Sequence, residues 1–284
     1  MSDAWFAEKL APDGDIEDGV HPSSAEALKQ YLRGGASAPA AARAITRPVS
    51  RSRTPNDELA RLWGFLVDAL VELPAENVAP LVALLQAIED LPEPAHGRLC
   101  WRGLPGFGHS YADTHQRSGW RAHARRAVGA AARGELRGYH ARKAEVEARL
   151  VVAGLAGLDI SWGYETVGDA LERSDAVLDV EVPAAARWFD IAGPRIREGV
   201  GRGEESWALR RRGRDLWRGG EELGGERYAF WRRRLEEVQG REGEQEDDDA
   251  TKRAAGEALR CMERDKGGTA TATATGVEGK GVSG

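Results

Sequence analysis

Apolar residues recur at helical spacing through most of the chain. From Asn56 or Asp57, either of which can cap a helix, Leu59, Leu62, Leu66, Ala69, Leu70 and Leu73 fall on one face, with Trp63 beside it. Residues at i, i+3, i+4 and i+7 share a helical face, so this spacing predicts an amphipathic helix to about Leu73. Pro74 ends it. Val78, Leu81, Leu84, Leu85 and Ile88 repeat the pattern, and Pro92 and Pro94 close that second run. A turn this short makes the two helices antiparallel neighbours. Burying about ten such side chains at roughly 1.5–3 kcal/mol each supplies a nucleus of core before entropy is counted.

The flanking segments are less regular. Residues 1–21 are acidic, carry Gly14 and Gly19, and read as a mobile arm. Ala25, Leu28, Tyr31 and Leu32 predict a short helix within 22–35, capped at Pro22-Ser23-Ser24 and stopped by Gly34-Gly35. Residues 36–55 are Ala, Pro, Ser and Arg without an apolar period and read as a linker. Cys100 to His109 has no period either and reads as an ordered loop anchored by aromatic rings, entering a helical turn near Tyr111–His115. Gly119 to about Gly154 predicts a long helix in which Gly129, Gly134 and Gly138 each cost about 1 kcal/mol, with a break or kink around 134–138.

Further helices are expected at about 164–173 and at 184–192, the latter with Pro183 in its first turn and Gly193-Pro194 as its end. Others fall around Trp207 and Leu209 and at 226–238. An acidic linker at 240–249 precedes a last helix at 250–264, and the Thr-Ala and Gly-rich residues 265–284 read as disordered. No stretch alternates as a strand does. The expected class is all-α: a single multi-helix domain over 56–264, built on antiparallel helical hairpins, with disordered termini.

Composition narrows the class. Hydrophobic residues make up 41% of the 284, which excludes a wholly disordered chain, and two Cys exclude a disulfide scaffold. No run approaches the roughly 20 apolar residues of a bilayer span, and the N-terminus lacks a basic-then-apolar leader, so no membrane association and a cytoplasmic or nuclear location are expected. Nine Trp are spread at about one per predicted element, as anchors of separate helices rather than one aromatic cage.

The net charge of −6 conceals blocks of opposite sign. Residues 117–149 sum to +6, residues 150–194 to −6 and residues 195–234 to +5. Blocks of this kind complement one another in the fold or face solvent. The alternative, a basic surface for single-stranded nucleic acid, has Arg210-Arg-Arg-Gly-Arg214 and Arg232-Arg-Arg234 near Trp207, Trp217 and Trp231 in its favour. The sequence pI of about 5.7 and the absence of a known nucleic-acid motif weigh against it.

Few residues suggest chemistry. His109, Asp113 and His115 have ligand-type side chains, but on one helix 109 and 113 share a face that 115 leaves. A loop histidine bonded to backbone and a solvated one is the preferred account, and no metal or cofactor is expected. Gly103-Leu-Pro-Gly-Phe-Gly108 lacks the Lys-Ser/Thr and the preceding strand of a phosphate cradle, and reads as a tight turn. Glu165 beside Trp162 and Tyr164 is either a desolvated acid or a first-turn helix carboxylate. No Gly-x-Ser-x-Gly, His-Glu-x-x-His or Cys-x-x-Cys occurs, so no catalytic residue is assigned.

Several stretches resemble a family of uncharacterised proteins from filamentous fungi. They are Leu62-Trp-Gly-Phe-Leu-Val-Asp-Ala-Leu70, Ala87-Ile-Glu-Asp-Leu-Pro92, Trp101-Arg-Gly-Leu-Pro-Gly-Phe-Gly-His109, Trp162-Gly-Tyr-Glu165, Ala170-Leu-Glu-Arg-Ser-Asp175 and Glu204-Glu-Ser-Trp207. The Glu226–Trp231 segment and Ala250-Thr-Lys-Arg-Ala-Ala255 fit the same pattern. The resemblance spans about residues 56–264 and implies a helical protein without a transferable reaction. The expectation is a non-enzymatic interaction or scaffold-like protein whose partner, if any, is a protein. The alternative is an enzyme or small-molecule binder with a site between the Trp101–His115 loop and the Trp162–Glu165 turn, drawing on Trp101, His109, Asp113, His115 and Glu165.

Overall fold

The computed structural model describes residues 3–93, 100–115, 119–127, 129–241 and 246–267. Its regular elements are helices, with one isolated antiparallel bridge between Glu204 and Leu223. In chain order they are α1 (Asp3–Leu10), α2 (Pro22–Leu32), α3 (Ala38–Ile45), α4 (Arg47–Arg51), α5 (Pro55–Glu72), α6 (Val78–Glu89), α7 (Phe107–His115), α8 (Trp120–Arg126), α9 (Ala130–Ala153), α10 (Ser161–Leu171), α11 (Leu178–Arg202), α12 (Gly225–Gln239) and α13 (Glu246–Gly267). Short 3-10 turns lie at Pro12–Gly14, Ala75–Asn77 and Trp207–Arg210. The all-α expectation therefore stands.

Two apolar cores organise these helices. The first gathers the stripes of α5 and α6 with Leu28, Ile45, Trp101, Phe107 and Tyr111. The second gathers Tyr164, Trp188, Phe189, Trp231 and Leu235 with Ala255, Ala258 and Met262 of α13. Helix α9 is the wall between them. Val146 and Leu150, one turn apart, face the first core, while Ala144 and Ala148 face the second. Positions 144 and 146 lie on nearly opposite sides of a helix at 100° per residue, so one helix seals two cores.

The N-terminal segment differs from the expected arm. Phe6 of α1 is buried against Phe65 of α5, and Trp5 stacks on the same ring at 5.5 Å. Lys9 bridges Asp68 and Glu72 of α5 at 2.8 and 2.9 Å. The expected 36–55 linker carries α3 and α4, whose Ala41, Ala42, Ile45 and Val49 are buried. Small Ala side chains give a weak periodic signal yet permit close helix packing. The acidic linker shortens to a stretch whose residues 242–245 lie outside the described residues, as do 268–284 of the expected disordered tail.

Two expected breaks fall elsewhere. The long helix is interrupted at Gly129, which takes a φ of 103°, and not at Gly134 or Gly138. A helix expected to stop at Gly193-Pro194 runs on to Arg202. Proline in a helix removes one amide donor and orphans the carbonyl four residues back. Here both orphaned carbonyls are met from other helices: Arg137 Nε donates to Asp179 O at 3.0 Å, opposite Pro183, and Arg264 Nη2 to Asp190 O at 3.3 Å, opposite Pro194.

Candidate functional site

Asp159 Oδ1 accepts the Ser161 amide at 2.7 Å and starts α10. The helix then carries Trp162, Glu165, Thr166 and Asp169 toward a gap bordered by α8, α9 and the first turns of α11. Two glycines set how closely α10 packs against its neighbours. A Cβ on Gly163 would stand 2.6 Å from the Trp188 ring, and one on Gly168 would stand 2.5 Å from the Arg214 guanidinium. Their missing side chains let α10 lie directly on α11 and let Arg214 cross α10.

The gap is a cavity of about 440 Å³. His115 of α7, Trp120 and Arg121 of α8, and His140, Lys143 and Glu147 of α9 form part of the wall. Trp162, Glu165, Thr166 and Asp169 of α10, Glu181 and Ala184 of α11, and Arg211 complete it. Arg121 reaches Glu181 Oε1 at 2.5 Å and Asp169 Oδ2 at 2.8 Å. Lys143 holds Glu147 at 2.5 Å, one turn along α9, and Arg211 pairs with Glu165 at the more exposed mouth. Behind the wall, Arg214 joins Asp169 at 3.2 Å to Glu172 at 3.6 Å, and Glu172 is held by Arg227.

Burial shapes the charges. It raises the Glu147 carboxyl above its ordinary range, against the pull of Lys143, and raises Glu181 despite Arg121 and the Val177 amide. Burial, then Lys143 and Arg121, push His140 down to about 4, so its imidazole is neutral at neutral pH. Burial lowers the Arg211 guanidinium, and Arg214 and Arg121 lower it further. Trp120 lies under Arg121 at 4.9 Å and beside the His140 ring at 4.0 Å, and Lys143 sits 5.8 Å from the Trp162 ring. These contacts are of cation–π and ring-stacking type.

Of the residues singled out from the sequence, His115 and Glu165 meet at this cavity. His115 is buried, with Nδ1 3.0 Å from the Tyr139 hydroxyl. Trp101 is elsewhere, buried in the first core. The loop after it is pinned by Trp63 Nε1 donating to Pro105 O at 2.8 Å. His109 and Asp113 lie on the exposed side of α7, turned away from His115. Among the described residues no group of three His, Cys, Asp or Glu is placed to hold a metal ion.

Sequence reasoning missed Arg121, His140, Lys143, Glu147, Asp169, Glu181 and Arg211. The signal lay in the charge blocks. The acidic block is clamped from both sides: Arg121, Arg125 and Arg133 of the preceding basic block take Asp169 with Glu181, Asp175 and Asp179. Arg211, Arg214 and Arg227 of the following block take Glu165, Asp169 and Glu172. The arginine runs are drawn on further: Arg210 pairs with Glu205 and Glu221, Arg232 with Glu236 and Glu263, and Arg234 with Glu237.

No helix among the described residues is long and apolar enough to cross a membrane. No curated protein and no solved structure matches the chain. The family described as "Protein of unknown function (DUF3632)" matches residues 63–235, which run from the second half of α5 through most of α12 and take in every residue of the cavity wall. The chain belongs to that family.

Proposed function

We propose that this chain is a small-molecule-binding protein whose site is the cavity between α8, α9, α10 and α11. The observation that carries the reading is the concentration of buried ionisable groups around one cleft. Ion pairs removed from water cost desolvation energy and are a weak source of stability. A cleft lined by several perturbed titratable groups is a functional-site candidate on physical grounds. His140 shifted to about 4 and Glu147 and Glu181 raised by burial all border the same space.

The interaction or scaffold reading finds less support. The exposed large hydrophobics among the described residues lie apart in the chain, Ile16 between α1 and α2, Val152 on α9 and Trp207 in the Trp207–Arg210 turn.

The test is a thermal-shift screen of polar metabolites against wild type and Thr166→Phe, which puts a bulky ring into the cavity. Compounds that raise the wild-type Tm and leave the variant unmoved are expected. A screen in which every stabilising compound acts equally on both proteins would overturn the reading.

A further inference from the structure

Between Glu26 and Asp57 the chain carries no acidic residue and six basic ones, Lys29, Arg33, Arg43, Arg47, Arg51 and Arg53. The basic blocks at 117–149 and 195–234 close on the acidic block between them, but this one meets no such complement. Asp3 takes Lys29 and Arg33 at 2.6 Å each. Among the described residues no carboxylate pairs with Arg43, Arg47, Arg51 or Arg53, and all four side chains are exposed. Asp57 and Glu58 open α5, where the helix dipole favours them, and Glu58 is held by His21 at 2.5 Å.

Three of these arginines form a stripe. Helix α3 passes into α4 through Thr46, which keeps right-handed helical angles. Its amide donates to Ala42 O at 3.2 Å, and its carbonyl accepts the Ser50 amide at 3.1 Å. Arg43, Arg47 and Arg51 therefore recur at every fourth residue along one exposed side, with about 6 Å of rise per step. Ala42, Ile45 and Val49 are buried on the other side.

We propose that this stripe is a docking surface for an acidic helical segment of a partner protein. A helix with a carboxylate at every fourth residue presents its charges at the same rise, so that each guanidinium takes one through a forked pair of hydrogen bonds. The surface is separate from the cavity and lies before residue 63, where the family match begins. A lipid surface fits it less well, because the apolar side of α3 and α4 is already buried in the first core. Single-stranded nucleic acid finds no stacking platform: the exposed large hydrophobics among the described residues are Ile16, Val152 and Trp207, none of them on α3 or α4. A long duplex would overhang the stripe. With −6 for the whole chain and +6 in this block, the remaining residues carry −12 and repel it.

The test is a fluorescence-anisotropy titration of the full chain at low salt. The probe is a labelled Ala- and Gln-based helical peptide of about four turns with Glu at every fourth residue. A peptide of the same composition with its Glu residues adjacent, a single-stranded and a duplex oligonucleotide, and vesicles containing phosphatidylserine are titrated alongside. The spaced peptide is expected to bind at least about fivefold more tightly than any of these, and to be released as added salt screens the charges.

Arg47→Gln/Arg51→Gln is expected to weaken binding about tenfold while the Tm stays unchanged, because both side chains are exposed. Arg187→Gln/Arg260→Gln, which removes exposed arginines of α11 and α13, is expected to leave binding unmoved. No saturable binding, equal affinity for the two peptides, or equal loss in the two double variants overturns the proposal. Tighter binding of an oligonucleotide or of the vesicles also overturns it, and assigns the stripe to that other class of partner.

Discussion

Arg137 Nε donates to the main-chain carbonyl of Asp179 at 3.0 Å, at the position where Pro183 of the same helix as Asp179 removes the usual donor. The guanidinium comes from α9 and does for α11 what its own backbone does not. Losing the donor leaves a carbonyl short of its partner, at a cost of about 1–3 kcal/mol. Arg137→Met is expected to destabilise the protein by that amount in urea unfolding. Pro183→Ala restores the amide, so the loss in Arg137→Met/Pro183→Ala should be smaller than in Arg137→Met alone. Equal losses in the two backgrounds would refute the coupling.

Arg227 grips Glu172 through Nε and Nη2 at 2.6 and 2.7 Å, and Trp231 Nε1 adds a third bond at 2.6 Å. All three side chains are fully buried. Removing one charge strands the other, which costs roughly 3–5 kcal/mol. Arg227→Met should lose that much, and Arg227→Met/Glu172→Gln should recover part of it. The measurement is a double-mutant cycle by denaturant unfolding.

The lowered His140 gives stability a pH signature of determined sign. The folded state binds this proton only near pH 4, the unfolded state near 6.5. Between those values the unfolded chain holds more protons, so the His140 contribution rises with pH and is complete above 6.5. It is lost as pH falls toward 4, by up to about 3 kcal/mol at 1.36 kcal/mol per pH unit. The raised carboxyls of Glu147 and Glu181 act with the opposite sign, upward from 4.5. The wild-type curve minus that of His140→Gln isolates the imidazole, and a flat difference between pH 4 and 7 would contradict it.

Two glycines should respond oppositely to alanine. At Gly163 the new methyl meets the Trp188 ring at 2.6 Å, and neither α10 nor α11 can retreat without opening the second core. Gly163→Ala should cost roughly 1–3 kcal/mol, as overpacking does. At Gly134 nothing lies within 4 Å, so Gly134→Ala should stabilise by about 0.5–1 kcal/mol through helix propensity. Thermal and denaturant midpoints of the two variants decide.

Helix α1 can be weighed by one residue. Phe6 is 4% exposed between Trp5 and Phe65. Phe6→Ala is expected to cost about 3 kcal/mol, as buried Phe deletions do. A change below about 0.5 kcal/mol, the scale of a surface substitution, would mean that the segment behaves as an arm.

The strongest apolar stripes were legible before any coordinates: Leu59 to Leu73 became α5, and Val78 to Ile88 became α6. Large β- and γ-branched side chains repeat at helical spacing only if a core awaits them. The segments that misled were those whose burial depends on small side chains or on distant partners. Ala41 and Ala42 carry no visible stripe, and the apolar Trp5-Phe6 pair was outweighed by acidic neighbours. Pro194 reads as a terminator unless Arg264, seventy residues away in sequence, is known to meet the carbonyl of Asp190.

The site divides in the same way. Glu165 and His115 stood out because their residue types and aromatic neighbours are local facts. Arg121, His140, Lys143 and Asp169 gave no local sign, since a charge has meaning only through what it faces. The amino-acid sequence determined the class of fold, the two strongest helices and the alternation of charge in blocks, because periodicity and composition act between near neighbours. The tertiary structure alone decided that the acidic block lies between the two basic ones, that His109 and Asp113 turn away from His115, and that seven charged side chains line one cavity. Coulomb attraction and desolvation act across space, and chain order does not record which helices come to lie side by side.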